Sequence, residues 1–251
     1  MKLSISRIKL FKACRRAYEL KYVYGVIPTG TADALETGLN YHAMIEELHR
    51  TGNVPDCTTK EAAMANAYYH YVYPQMPKFE PEVWFEKSLG YGRAIIGRLD
   101  GKVESEAAIV EHKTTSLPVE EYVFNLQYDE QLLTYMLATG VRTAYYTICR
   151  KPTIRQKQSE TLDEYAQRCL SWYAEDTDDK IRMVKITCTD EEVVDFKKEL
   201  VKMFSEVKSG HYYRNCSHCN AWGKKCEYYP ICHNYEPTQE YVGFTREEVA
   251  E

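Results

Sequence analysis

The stretches Gly97-Arg98-Leu99-Asp100-Gly101 and Ile109-Val110-Glu111-His112-Lys113-Thr114 hold the residues best suited to chemistry. If they form a hairpin turning at Ser105-Glu106, Asp100 comes to lie across from Glu111, and opposed residues share a face. Glu111 and Lys113, two apart on one strand, share that face too. Two carboxylates side by side repel unless a cation lies between them. That is the chemistry of a Mg²⁺ or Mn²⁺ site, with Lys113 placed to orient a water or offset charge developing on a phosphate. The plainer alternative is an exposed cross-strand charge cluster, since Glu-x-Lys is common in strands.

A second constellation is Cys219-x6-Cys226-x5-Cys232, in a turn-rich segment with little else to stabilise it. Cysteines gathered in this way signal a metal. With Cys216 added they would satisfy a tetrahedral zinc locally, leaving Cys14 as a core residue of the first helix. Cys57, Cys149, Cys169 and Cys188 are scattered and read as structural.

The elements that position these residues follow from hydrophobic periodicity. Ser4 caps a first helix to about Tyr22, with Ile8, Phe11, Cys14 and Tyr18 on one face. Further helices are expected over Glu36–Arg50 and Lys60–Tyr71. Glu82–Tyr91, Ala94–Glu104 and Ala107–Thr114 are rich in branched and aromatic residues and read as strands. A long helix over Pro118–Thr139 closes at Gly140. Strands at Val141–Arg150 and Ile181–Cys188 flank a helix at Leu162–Tyr173, and Asp190 caps a last helix to Ser209. Helices, a block of strands and helices again imply a mixed α/β fold. No repeat or linker divides the chain, which predicts a single domain over 1–251.

The chain has 251 residues with 44% hydrophobic and 27% charged, an ordinary globular composition that can bury a core. No stretch approaches the ~18 apolar residues of a membrane span, and Arg7, Lys9 and Lys12 interrupt any signal-peptide core. Nine cysteines without an export signal predict reduced thiols and a cytoplasmic protein. The net charge of −5 excludes a protein that coats nucleic acid, yet basic stretches at residues 1–25 and 150–157 suit local phosphate contacts. The 22 tyrosines serve equally as core, interface or base-stacking residues.

Taken in order, Gly-x-x-Asp, then Glu-x-Lys, then Gln131-Leu132-Leu133-Thr134-Tyr135 resembles the RecB-like branch of the PD-(D/E)XK nucleases. Helical spacing puts Gln131 and Tyr135 on one face. Gly38-Leu39-Asn40-Tyr41-His42 resembles the upstream helix that carries the family's metal-binding histidine. The resemblance implies a restriction-endonuclease-like core, a central mixed β-sheet flanked by helices. It also implies a metal-dependent deoxyribonuclease, most simply an exonuclease acting on single-stranded or end-processed DNA in recombination, repair or phage DNA metabolism. Asp100, Glu111, His42 and the His112 carbonyl would hold Mg²⁺ or Mn²⁺. Lys113 would orient water or phosphate, and Gln131 and Tyr135 would position Lys113 or contact DNA. Glu86, in Trp84-Phe85-Glu86, is a weaker candidate that reads as structural.

Lys12-Ala13-Cys14-Arg15-Arg16-Ala17-Tyr18 and the closing Cys226-to-Cys232 segment resemble an iron–sulfur subgroup of that branch, which includes CRISPR spacer-acquisition nucleases and the AddB subunit. This implies a [4Fe–4S] cluster on Cys14, Cys219, Cys226 and Cys232, stapling the N-terminal segment (1–35) to a cluster-binding segment (211–235) around a nuclease core (36–210), with a polar tail (236–251). Cys216 could replace Cys219, and Zn²⁺ is the alternative to iron–sulfur. No GxxxxGK[ST] loop occurs, so a helicase or recombination partner would be a separate chain. The rival reading is a non-catalytic DNA-binding or assembly module that keeps the nuclease fold.

Overall fold

The computed structural model describes residues 1–30, 33–126, 129–223 and 225–249, so residues 250–251 of the expected tail lie outside the described residues. In chain order the elements are β1 (Lys2–Leu3), α1 (Ile5–Ala13), α2 (Arg15–Tyr22), β2 (Val26–Pro28), α3 (Asp33–Thr51) and α4 (Lys60–Tyr71). Next come β3 (Glu80–Gly90), β4 (Arg93–Val103), β5 (Ala108–Thr115), α5 (Val119–Leu126), α6 (Glu130–Thr139) and β6 (Thr143–Arg150). The chain ends with α7 (Leu162–Glu175), α8 (Thr177–Lys180), β7 (Ile181–Thr187), α9 (Asp190–Ser209) and β8 (Phe244–Arg246). This is a mixed α/β fold with a mixed sheet flanked by helices. Among the described residues no helix is long and apolar enough to cross a membrane.

The chain divides into two compact units: Met1–Ala32, Glu86–Gly97 and Val194–Glu251 in one, Asp33–Phe85 and Arg98–Val193 in the other. In the second unit β5 is the middle strand, antiparallel to β4 and parallel to β6, which is antiparallel to β7. Both faces of β5 are covered, so its start reads as the unbroken apolar run Ala108-Ile109-Val110 rather than an alternation. One face packs Leu99, Ile109, Tyr146 and Ile148 against Leu126 of α5 and Leu132 and Met136 of α6. The other side gathers Tyr41, Ile45 and Leu48 of α3, Met64 and Tyr68 of α4, and Tyr173 of α7 around Cys149 and Ile181.

The helix expected over Pro118–Thr139 is two helices. Its residues 127 and 128 lie outside the described residues, and α6 starts afresh where Asp129, with extended backbone, accepts the Gln131 N–H at 2.8 Å. Gly140 ends α6 with φ +83°, the left-handed conformation expected of it.

A second departure concerns the β4–β5 hairpin. Its ladder runs from Val103↔Ala108 to Gly101↔Val110 and goes no further, so the expected Asp100–Glu111 cross-strand pair is not made. Instead the Asp100 carboxylate takes the His112 N–H at 2.7 Å. Leu99 packs in the α6-side core, whereas Asp100 and Gly101 both turn to residues of the α3 side, so β4 loses its two-residue alternation here. Gly101 permits this, because a Cβ there would stand 2.3 Å from Cδ2 of Phe79.

In the first unit β1 runs parallel to the start of β4, and β2 pairs antiparallel with β8. These short strands carry no periodic signal and were not expected. The single helix expected from Ser4 to Tyr22 is broken at Cys14, whose backbone is extended (φ −160°, ψ 113°). The physical reason is a tertiary one: Asn215 donates from Nδ2 to the carbonyl of Ala13 at 2.8 Å and from its N–H to the Cys14 sulfur at 3.4 Å. The tail thus satisfies groups that a continuous helix would have paired internally. Cys14, Ala17, Leu20 and Val26 pack with Tyr228, Ile231 and Tyr235.

The Phe79 ring is itself packed on His49, 4.2 Å between centroids, and cannot swing away freely. Gly101→Ala should therefore cost roughly 1–3 kcal/mol in denaturant unfolding, the usual range for overpacking. Adding Phe79→Leu should recover part of that loss.

Candidate active site

The parting of β4 from β5 opens the sheet where α3 and α6 bring polar side chains to it. Glu111 is only 2% exposed, and its Oε1 accepts from Gln131 Nε2 at 2.6 Å and from the Lys113 ammonium. Lys113 also donates to Gln131 Oε1 at 2.8 Å, so the lysine and the glutamine each bridge to the other and to the same carboxylate. Gln131 Nε2 contacts the Tyr135 hydroxyl at 2.9 Å, and that hydroxyl donates to the Arg98 carbonyl at 3.1 Å. The Tyr135 ring is buried edge-on to Phe85, which fixes α6 against the sheet and places Tyr135 behind Gln131.

Helix α3 supplies His42 from the other side. Its Nδ1 stands 3.5 Å from Asp100 Oδ2. Four residues earlier a Cβ on Gly38 would sit 3.4 Å from Thr114 Oγ1, so the helix approaches β5 closely at that turn. His112 points its buried ring to Thr147, Nδ1 to Oγ1 2.6 Å. Burial pushes the His112 ring down to about 3, so it is neutral.

The two carboxylates are driven apart in acidity. Burial first, and then the charge of Asp100, push Glu111 up to about 7 against the pull of Lys113. Burial would raise Asp100 also, but His42 and the His112 N–H hold it down at about 2. Burial works against the Lys113 ammonium too, and Glu111 more than compensates. Asp100 is thus a firm anion and Lys113 a firm cation, with Glu111 poised between them.

A narrow cleft lined by His42, Glu46, Phe79, Glu82, Asp100 and His112 measures about 10 Å³, room for one water-sized occupant. The Glu111 Oε2 atom is buried and has no hydrogen-bond partner, a costly state for a carboxylate oxygen. Among the described residues no three His, Cys, Asp or Glu side chains stand in an arrangement that would itself hold a metal ion. The donor set nevertheless fits a hard divalent cation, because oxygen ligands of this kind suit Mg²⁺ and Mn²⁺ and the unpartnered Oε2 requires a positive partner.

The structure therefore brings Asp100, Glu111, Lys113, Gln131, Tyr135, His42 and His112 together. Glu86 is elsewhere, exposed and paired with Lys2 at 2.6 Å. The acidic residue of β3 that reaches the cleft is Glu82, held beside the Arg98 guanidinium at a left-handed φ of +60°. Strand alternation puts residues 82 and 86 on one face, so the signal was present but did not say which of the two meets the site.

Cys14, Cys216, Cys219, Cys226 and Cys232 lie in the other unit, whereas Cys57, Cys149, Cys169 and Cys188 belong to this one. All nine are free thiols, with Cys14 buried, Cys219, Cys226 and Cys232 half-buried and Cys216 exposed. Burial raises the Cys226 and Cys232 thiols, and in both cases Cys14 and Cys219 are near enough to raise them further. Cys226 N–H bonds to the Cys219 carbonyl at 2.9 Å, which brings those two segments together.

Burial lowers the His42 ring and Asp100 outweighs it, leaving His42 above its ordinary 6.5. A raised histidine contributes stability that is complete below pH ~6.5 and is lost as pH rises through the folded-state value. NMR titration of metal-free protein should place the His42 midpoint above 6.5. Asp100→Asn should lower it, since the main group that opposes burial is then gone and only the Glu111 charge still raises the ring.

Comparison with known proteins was made against families, curated proteins and solved structures. Among curated proteins none matches. In fold the chain is similar to SSO0001 (13% identity, 92% of this chain and 86% of that one, TM-score 0.47). It is also similar to an alkaline exonuclease from Laribacter hongkongensis (14% identity, 83% and 89%, TM-score 0.44). A phage-related exonuclease from Haemophilus somnus 129PT gives 16% identity, 76% and 93%, and a TM-score of 0.39. These likenesses are too distant to carry weight. The family match is a different matter, covering residues 2–89 and 58–233 and hence most of the sequence. The chain belongs to the PD-(D/E)XK nuclease superfamily.

Proposed function

We propose that the protein is a Mg²⁺- or Mn²⁺-dependent deoxyribonuclease, an exonuclease that hydrolyses phosphodiester bonds at single-stranded or end-processed DNA. The observation that carries this reading is the Glu111 carboxylate. One of its oxygens is tied to Lys113 and Gln131, and the other is buried without a partner beside the anionic Asp100.

Asp100 and Glu111 would hold the cation, with His42 and the His112 carbonyl completing its protein ligands. When bound, the ion supplies Lewis-acid activation of the attacking water and offsets charge on the phosphate. Lys113 spends two of its three donors on Glu111 and Gln131, which leaves one for that water or for a phosphate oxygen. Gln131 fixes the rotamer of Lys113, and Tyr135 fixes Gln131. Phosphate recognition of this kind makes activity fall with salt.

The proposal extends to a structural [4Fe–4S] cluster on Cys14, Cys219, Cys226 and Cys232. The influence of Cys14 and Cys219 on both the Cys226 and the Cys232 thiol supports it, and the exposure of Cys216 favours Cys219 as the ligand. The chain would act as one nuclease domain whose two end segments carry the cluster, in recombination, repair or phage DNA metabolism. Nine unpaired thiols suit the cytoplasm.

Anaerobically purified protein with Mn²⁺ should release labelled nucleotides from linear single-stranded DNA. Lys113→Ala should lose at least about 100-fold in rate, the scale of removing a positioned acid–base or electrostatic group. Degradation by the variant at the wild-type rate, or none by folded wild type, would refute the nuclease reading. The same preparation should be brown and carry about four irons per chain. Cys226→Ala should be colourless, and a colourless wild type containing zinc would overturn the cluster.

A further inference from the structure

Trp84 is 73% exposed, an unusual state for a tryptophan on a paired strand. Its neighbours Val83 and Phe85 face the α6-side core, so Trp84 points to the opposite side of β3, the side on which Glu82 enters the cleft. The Arg98 guanidinium lies over the indole, 5.6 Å from the ring centroid. It also lies against the Glu82 carboxylate, which restrains it. One indole face is therefore covered by a held cation, and the exposure of the ring leaves the rest of its surface to solvent. Arg98 precedes Asp100 by two residues on β4, so the platform begins only about 7 Å along the strand from the candidate metal ligand.

We propose that Trp84 and Arg98 form a nucleotide platform. A base of a single-stranded polynucleotide stacks on the indole, and its phosphate is met by the Arg98 guanidinium next to the Asp100–Glu111 site. The chemistry is that of single-strand recognition, in which an aromatic face accepts any base and a cation accompanies the backbone. A paired base inside a duplex has both faces covered by its neighbours, so the platform selects frayed or single-stranded ends. It adds a base-binding position to the nuclease reading and rests on it. Trp84 would be a substrate-binding residue, and its loss would act on KM more than on kcat.

The test measures binding of a thymidine oligonucleotide to the full chain in EDTA, alongside an abasic oligonucleotide of the same length. Trp84→Ala should weaken binding of the thymidine strand about tenfold, within the range of one lost stack. Trp84→Phe should retain most of the affinity, and the abasic strand should bind wild type and Trp84→Ala alike. Thymidine binding should quench a part of the tryptophan fluorescence that is missing from Trp84→Phe. Equal binding of the thymidine strand by wild type and a folded Trp84→Ala would overturn the platform. So would an equal loss of affinity for the abasic strand. If wild type degrades single strands and Trp84→Ala does so with unchanged KM, the platform falls and the nuclease stands. If folded wild type neither binds nor degrades DNA, both fall together.

Discussion

A carboxylate buried at 2% exposure is the constraint around which the second unit is arranged. Left alone, Glu111 would be neutral or would not be buried at all, because charge is costly to remove from water. Three features make its position tolerable. Lys113, two residues on, shares its face; Gln131 arrives from a separately capped helix; and β4 leaves the ladder before reaching it. Only one of the two oxygens is served by this arrangement. The protein scaffold thus supplies a half-satisfied site, and half-satisfied polar groups in native proteins are concentrated where a ligand completes them.

Much of this was legible from the sequence. Asp100, Glu111 and Lys113 were singled out by strand alternation and Gln131 and Tyr135 by the motif order of the resembling nucleases, and the fold gathers all five in one place. Helix α4 and the last helix likewise matched their periodic stretches. What was not legible depended on distant residues. The break at Cys14 is set by Asn215, some 200 positions later, and within its own window the sequence reads as an unbroken helix. The ladder ends at Gly101, against which Phe79 packs from a segment some twenty residues earlier, a contact no alternation pattern contains. Glu82 rather than Glu86 lines the cleft, a matter of position along β3 that alternation alone does not fix, and its backbone is left-handed there. Even so, the side-chain chemistry survived these departures, since Asp100 still comes to the site by bonding the His112 amide.

The same contrast separates the two units. The core around β5 is built from segments adjacent in sequence, joined by short connections, and it carries every residue of the candidate active site. The unit that holds Cys14 and the tail cysteines draws on the first thirty residues, on residues 86–97 and on the last fifty-odd, and β1, β2 and β8 within it are two or three residues long. Strands so short offer few hydrogen bonds, so where β2 meets β8 the side-chain packing around Cys14, Tyr228 and Ile231 contributes much of the cohesion. A metal cluster is the kind of cross-link that such a unit would profit from.

That arrangement bears on how the chain matures at the ribosome. Residues 1–30 emerge some 200 positions ahead of Tyr228, Ile231 and Tyr235, on which Cys14, Leu20 and Val26 pack. Domains fold as they emerge when their contacts are close in sequence. The second unit can therefore collapse while the nascent chain is still growing, whereas α1 and α2 wait, their apolar faces uncovered, until residues 228–235 have been made. A truncated product would consequently expose that surface to chaperones or aggregation even if its nuclease core were already formed.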